Sequence, residues 1–171
     1  MCIRDSIYAL IYGCGDQNLG RLVNGGAKEG RELRKKFMDG MPAFKKLKAA
    51  VDHSIKTRGY LVGLDGRHLP VRSSHSALNL LLQSAGAVVM KAATVKLNQE
   101  MHILNRGQPR KDWSRQLAHI HDEVQLSCPE RTSNALGDTA VRAIINAGDL
   151  LGLQCALDAE FHVGANWSAT H

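Results

Sequence analysis

An α+β fold, helices accompanied by an antiparallel sheet, follows from three observations on the sequence. Tyr60-Leu61-Val62 and Arg67-His68-Leu69-Pro70-Val71 flank Gly63-Leu64-Asp65-Gly66, and an Asp-Gly pair between apolar runs is a hairpin signal. A second pair of short apolar runs, Leu117 to Ile120 and Val124 to Cys128, brackets His121-Asp122-Glu123. Segments with helical punctuation surround both, in the order helices, hairpin, long helix, hairpin, helix, strand. At 171 residues, 44% hydrophobic and 22% charged, the chain is long enough for one compact core.

Taken in order, Ile7 to Tyr12 is apolar and aromatic until Gly13-Cys14-Gly15-Asp16 breaks it. Gly15 is expected to stop that helix and Asp16 to cap a short one through Val23. Asn24-Gly25-Gly26 is a turn, Lys28 to Met38 a basic helix ended by Asp39-Gly40, and Pro42 suits the first turn of a helix to about Ile55. After the first hairpin, Ser73 or Ser74 is placed to cap the longest helix, His75 to Leu104. The polar stretch Asn105 to Asp112 leads into the second hairpin. Ser133 to Leu151 reads as a helix, and Cys155 to His162 alternates like a closing strand.

Composition narrows the function classes. No apolar run approaches the roughly 20 residues that span a bilayer, so no membrane association is expected. Met1 to Ser6 lacks the apolar stretch of a signal peptide. Cys2, Cys14, Cys128 and Cys155 form no CxxC pair and read as reduced thiols, which points to the cytoplasm. The formal net charge is +6, and five of those charges are the excess between Lys28 and Lys48, where eight Lys or Arg face three acids. Such a run suits a polyanion, since each phosphate neutralised releases counterions; a solvated helix face with Glu-Lys pairs has the same composition.

Two constellations carry chemistry. His121-Asp122-Glu123 puts adjacent carboxylates at a turn, where they repel each other and favour no strand. Magnesium takes one or two carboxylates plus substrate phosphates, so the pair is a candidate phosphoryl-transfer metal site; an exposed acidic turn is the plainer alternative. The second is a stripe of His75, Asn79 and Gln83 at four-residue steps along the long helix. An exposed face is usually richer in Lys and Glu, whereas neutral hydrogen-bonding side chains suit a groove floor that reads base or sugar edges.

Together these residues resemble the C-terminal polymerase region of family A DNA polymerases, most of all those of the bacteriophage replicative type. Ile7-Tyr8-Ala9-Leu10-Ile11-Tyr12-Gly13 is similar to the end of the fingers helix. Gly63 to Arg67 with Val71-Arg72-Ser73 resembles the hairpin entering the palm. His75 to Gly86 resembles the palm helix that touches primer and template, His121-Asp122-Glu123 the metal-binding turn, and Gly164-Ala165-Asn166-Trp167 the phage-like ending. The resemblance implies a right-hand polymerase with an antiparallel palm sheet, using Mg2+ in a two-metal centre, with dNTPs and primer-template DNA as partners. It implies Asp122 as metal ligand and catalytic carboxylate, with Glu123 as its less direct neighbour. Tyr8, Tyr12 and Gly13 would face the incoming nucleotide and templating position, while His121, His75, Asn79, Gln83 and Arg72 would contact DNA.

The departures define the expected extent. Residues 1–6 do not match and read as a foreign start; Arg4 stands where the family has a lysine, and an arginine is a poor proton donor. Residues 7–57 correspond to partial fingers helices and 58–171 to the C-terminal palm region. The family's other metal-binding aspartate, from an earlier palm strand, has no counterpart: Asp65, Asp138 and Asp158 lie in unrelated contexts. The chain is thus expected to need the upstream part of a polymerase, and to be inactive alone in the cytoplasm of a phage host. A non-catalytic nucleic-acid-binding module, or another metal-dependent phosphotransferase or nuclease, is the competing expectation.

Overall fold

The computed structural model describes residues 3–170, with residues 3–6 given by their helical backbone alone. Met1 and Cys2 therefore lie outside the described residues, as do the side chain of Arg4 and His171. The chain divides into two compact units, 1–84 and 85–171, each with a core of its own, where the length alone suggested one.

The first unit opens with α1 (Ile3–Ile11), α2 (Asp16–Arg21), α3 (Ala27–Gly40) and α4 (Pro42–Arg58). Gly13, not Gly15, stops α1. It adopts φ 77°, and the amides of Gly13 and Cys14 bond back to the carbonyls of Leu10 and Ala9, the paired closure of a left-handed helix end. Gly15 is the residue preceding α2, and Asp16 lies inside the helix without capping it. Its carboxylate is drawn elsewhere: Arg34 Nε donates to it at 2.7 Å, and Arg31 approaches at 3.7 Å. Arg34 also donates to the Cys14 carbonyl. These bonds hold α2 against α3, and the backbones approach so closely that a Cβ on Gly30 would collide with the Asp16 carbonyl and one on Gly20 with the Gly26 carbonyl. The Gly26 amide is met by Glu29 Oε2 at 2.7 Å, which satisfies one orphan donor at the start of α3. α3 ends at Met41, which the following proline keeps out of helical backbone, and Pro42 opens α4 as expected.

β1 (Tyr60–Val62) pairs antiparallel with β2 (His68–Pro70), with Leu61 opposite Leu69. Both leucines are buried with Val51, Ala77 and Leu78, the last two from the start of α5 (Ala77–Leu104). The serines do not cap α5. Ser74–Ser76 form a 3-10 turn ahead of it, in which Ser76 Oγ donates to the Ser73 carbonyl, and His75 stands in that turn rather than in α-helix.

In the second unit, β3 (Arg115–Ile120) and β4 (Glu123–Ser127) form another antiparallel pair, so the sheet content is two two-stranded sheets among the described residues. The loop before β3 is fixed by Asn105, whose amide donates to the Ser114 carbonyl at 2.9 Å and accepts from the Ser114 amide at 2.8 Å. Leu97 and Met101 of α5 are buried with Leu136 and Ala143 of α6 (Ser133–Leu150), and Val124 and Leu126 of β4 pack on them.

Two expectations fail here. Residues 155–162 join no ladder among the described residues. Their alternation is used against α6 instead: Leu157 packs over Gly148 and Phe161 over Gly137, two glycines on one helix face that leave room for the segment. Ser74–Leu104 is also a continuous helical stretch of 31 residues with a mean hydropathy of 1.3 in its most apolar window, enough by length and composition to cross a bilayer. The apolar-run argument missed it because polar residues such as Asn79, Gln83 and Lys91 interrupt the run. Its buried side chains enter the two cores.

Candidate functional site

The expected site residues fall in both units. In the first, Tyr8 and Tyr12 lie one turn apart on α1 with rings stacked, centroids 6.0 Å apart and planes 18° apart, and both are about half exposed (50% and 46%). Half-exposed stacked phenols do not serve as core; they present a flat face to solvent. Gly13 at the helix end meets the loop before α5: a Cβ there would lie 2.9 Å from the His75 carbonyl. The structure therefore brings Gly13 and His75 together, and both positive φ and space require glycine. Arg72, His75 and Gln83 are exposed, whereas Asn79 is half-buried. The Asn79 Oδ1 atom is buried with no hydrogen-bond partner among the described residues, an arrangement that costs about 1–3 kcal/mol unless a donor arrives.

The basic run is not uniform. Arg31 and Arg34 pair with Asp16, and Lys45 lies 3.7 Å from Asp39. Arg34 is consumed by the fold. Arg34 and Arg31 hold the Asp16 carboxyl below the ordinary range, the hydrogen bond from Arg34 being the main cause. Lys28, Lys35, Lys36 and Lys46 remain exposed.

In the second unit the register pairs Ile120 with Glu123, so the connection is only two residues, His121-Asp122, and Glu123 is already the first residue of β4. A two-residue loop needs left-handed backbone that glycine or asparagine usually supplies. Here His121 takes it, at φ 56°. A neighbouring histidine supports this conformation. The His121 carbonyl can only accept, so the His119 Nε2–H donates to it at 3.2 Å, and His119 Nδ1 then faces the Thr94 hydroxyl of α5 at 3.5 Å. Sequence reading missed His119; alternation along β3 was the only signal it gave.

The two carboxylates are treated differently. Asp122 is exposed and makes no hydrogen bond or ion pair with the described residues. Glu123 is half-buried, and its Oε1 accepts from the indole N–H of Trp167 at 3.0 Å and from the Gln125 side-chain amide. Among the described residues no group of three His, Cys, Asp or Glu side chains gathers. The donor set nevertheless fits a hard divalent cation, which needs only one or two protein carboxylates when waters and phosphates complete its shell. Asp122 is the side chain open to such an ion, with Glu123 adjacent and already oriented.

The family model of DNA polymerase family A matches residues 3–169. The chain is 35% identical over 183 aligned residues to the DNA-directed DNA polymerase of Escherichia phage T7, covering 96% of this chain and 26% of that one. It is 36% identical to the DNA-directed DNA polymerase of Escherichia phage Phieco32, covering 96% and 27%. Among solved structures, the POL domain of Pol1 from M. smegmatis, in complex with DNA primer-template and dNTP, superposes with a TM-score of 0.72 at 19% identity, over 84% of this chain and 26% of that one. The chain spans about a quarter of the length of these relatives.

Proposed function

The chain belongs to DNA polymerase family A, and from that premise we propose that it is the C-terminal fingers-and-palm portion of a phage-type, template-directed DNA polymerase, working in the host cytoplasm. The observation that carries the reading is the carboxylate turn: a tight two-residue loop with no glycine, holding Asp122 exposed and Glu123 oriented beside it. Asp122, with Glu123 as its less direct partner, would hold magnesium, which when bound would supply Lewis-acid stabilisation of the primer hydroxyl and the nucleotide phosphates.

The chain's own residues do the rest. The exposed Tyr8 and Tyr12 faces, with Gly13 closing the helix behind them, suit the sugar of an incoming dNTP and the templating base. His121 suits hydrogen bonding at the primer terminus. Arg72, His75 and Gln83 suit phosphate and minor-groove contacts, and the orphan Oδ1 of Asn79 suits a donor such as a guanine amino group. The exposed lysines of α3 and α4 suit the DNA backbone.

One carboxylate arm does not make a two-metal centre, because the family's second aspartate has no counterpart in this sequence. Primer extension by the purified chain with Mg2+ and dNTPs is therefore expected to be absent, while DNA binding is expected to fall steeply with salt, with a log–log slope steeper than about −2. Extension that Asp122→Ala abolishes would refute the first expectation, and salt-independent binding the second. DNA cleavage without dNTPs would favour a nuclease instead.

A further inference from the structure

We propose that Trp167 is a positioning residue for the carboxylate turn. This rests on the reading of Asp122 and Glu123 as the metal-binding pair. Trp167 lies 44 residues from Glu123 in sequence, yet its indole N–H donates to Glu123 Oε1 at 3.0 Å. The same oxygen accepts from Gln125, two residues along β4. Two neutral donors on one oxygen restrict the rotation of the carboxylate.

The segment bearing Trp167 is built to hold the indole in place. Trp167–Ala169 forms a 3-10 turn whose first amide-accepting side chain is Asn166, which takes the Ala169 N–H at 3.1 Å. Thr170 Oγ1 donates to the Trp167 carbonyl at 2.9 Å. Gly164 lets the chain fold back on this turn, since a Cβ there would lie 2.8 Å from Ala169 Cβ. Trp167 itself is about half exposed (48%), so burial of its ring is not what keeps it there. The hydrogen bond to Glu123 gives the residue a task that a packing role does not explain.

Outer partners that orient a metal-ligating side chain are commonly worth ~10–100-fold in metal affinity. The test uses the full chain and two readouts. The chain has two tryptophans, Trp113 and Trp167. With Trp113→Phe identifying the signals, the Trp167 indole N–H resonance is expected to shift in Glu123→Ala, with no metal present. A Trp167 signal indifferent to Glu123→Ala overturns the contact. Mn2+ affinity, followed by the loss of the free-ion resonance signal, is expected to fall ~10-fold in Trp167→Phe, which keeps the ring and removes the donor, and to be unchanged in Ser168→Ala. Equal affinity in Trp167→Phe and the parent chain overturns the positioning role while leaving the metal site standing. Failure of the parent chain to bind Mn2+ at all sinks the metal reading and, with it, the positioning role; the indole shift then reports only whether the contact exists.

Discussion

The two hairpins pose the same local problem, an acidic residue at a tight turn, and solve it in opposite ways. In the first, Gly66 at φ 81° provides the left-handed backbone, and Asp65 is paired inside its own loop by Arg67, whose Nε donates at 2.7 Å. The Arg67 hydrogen bond holds the Asp65 carboxyl below the ordinary carboxylate range. In the second, no glycine is present, His121 carries the left-handed backbone, and Asp122 has no partner among the described residues. A carboxylate satisfied within its loop is part of the structure. One left open beside an oriented neighbour, on a loop that accepts backbone strain, is available to a ligand.

The comparison can be broken most forcefully through activity. In a phage relative whose C-terminal segment is replaced by residues 7–171, Asp122→Ala is expected to lower primer extension on the order of 10³-fold, since metal stabilisation of the transition state is worth several kcal/mol. Asp65→Ala is expected to change it by less than about twofold, as surface pairs contribute little. Similar losses from both substitutions would erase the distinction.

Stability should separate the loops by sign. Gly66→Ala puts a Cβ into left-handed backbone and is expected to destabilise the first unit by about 1–2 kcal/mol. His121→Gly relieves the same conformation and is expected to cost nothing or to stabilise the second unit by up to about 1 kcal/mol. Urea unfolding of each variant measures both; destabilisation by His121→Gly would show that the His121 side chain is itself needed for folding.

Acid gives the smallest difference. The Asp65 carboxyl is depressed below 3.8 in the folded chain, so its contribution is present above that value and is lost as pH falls through the lower folded value. Arg67→Ala should remove this acid sensitivity from the first hairpin, as seen in denaturation midpoints between about pH 2 and 5. The Asp16–Arg34 pairing between α2 and α3 carries the same sign and serves as a second case.

Much of this was legible in local sequence because the governing interactions are local. The Asp65-Gly66 hairpin, the Pro42 helix start, the long helix and the turn at His121-Asp122 each depend on residues within a few positions of one another. Two of the errors share one cause, a partner far along the chain. Asp16 has the chemistry of a cap, but Arg34, eighteen residues away, takes its carboxylate. Residues 155–162 have the period of a strand, but Gly137 and Gly148 open a helix face for them. The acidic turn was visible at once. That Trp167 holds Glu123, and that His119 props His121, required the fold.

The central claim is that Asp122 is the open metal carboxylate of this chain. Its most direct test is Mn2+ titration of the purified protein beside Asp122→Ala and Asp65→Ala. Binding that survives Asp65→Ala and falls more than ~10-fold in Asp122→Ala is the expected result. Binding unchanged by Asp122→Ala, or lost equally in both variants, would contradict it.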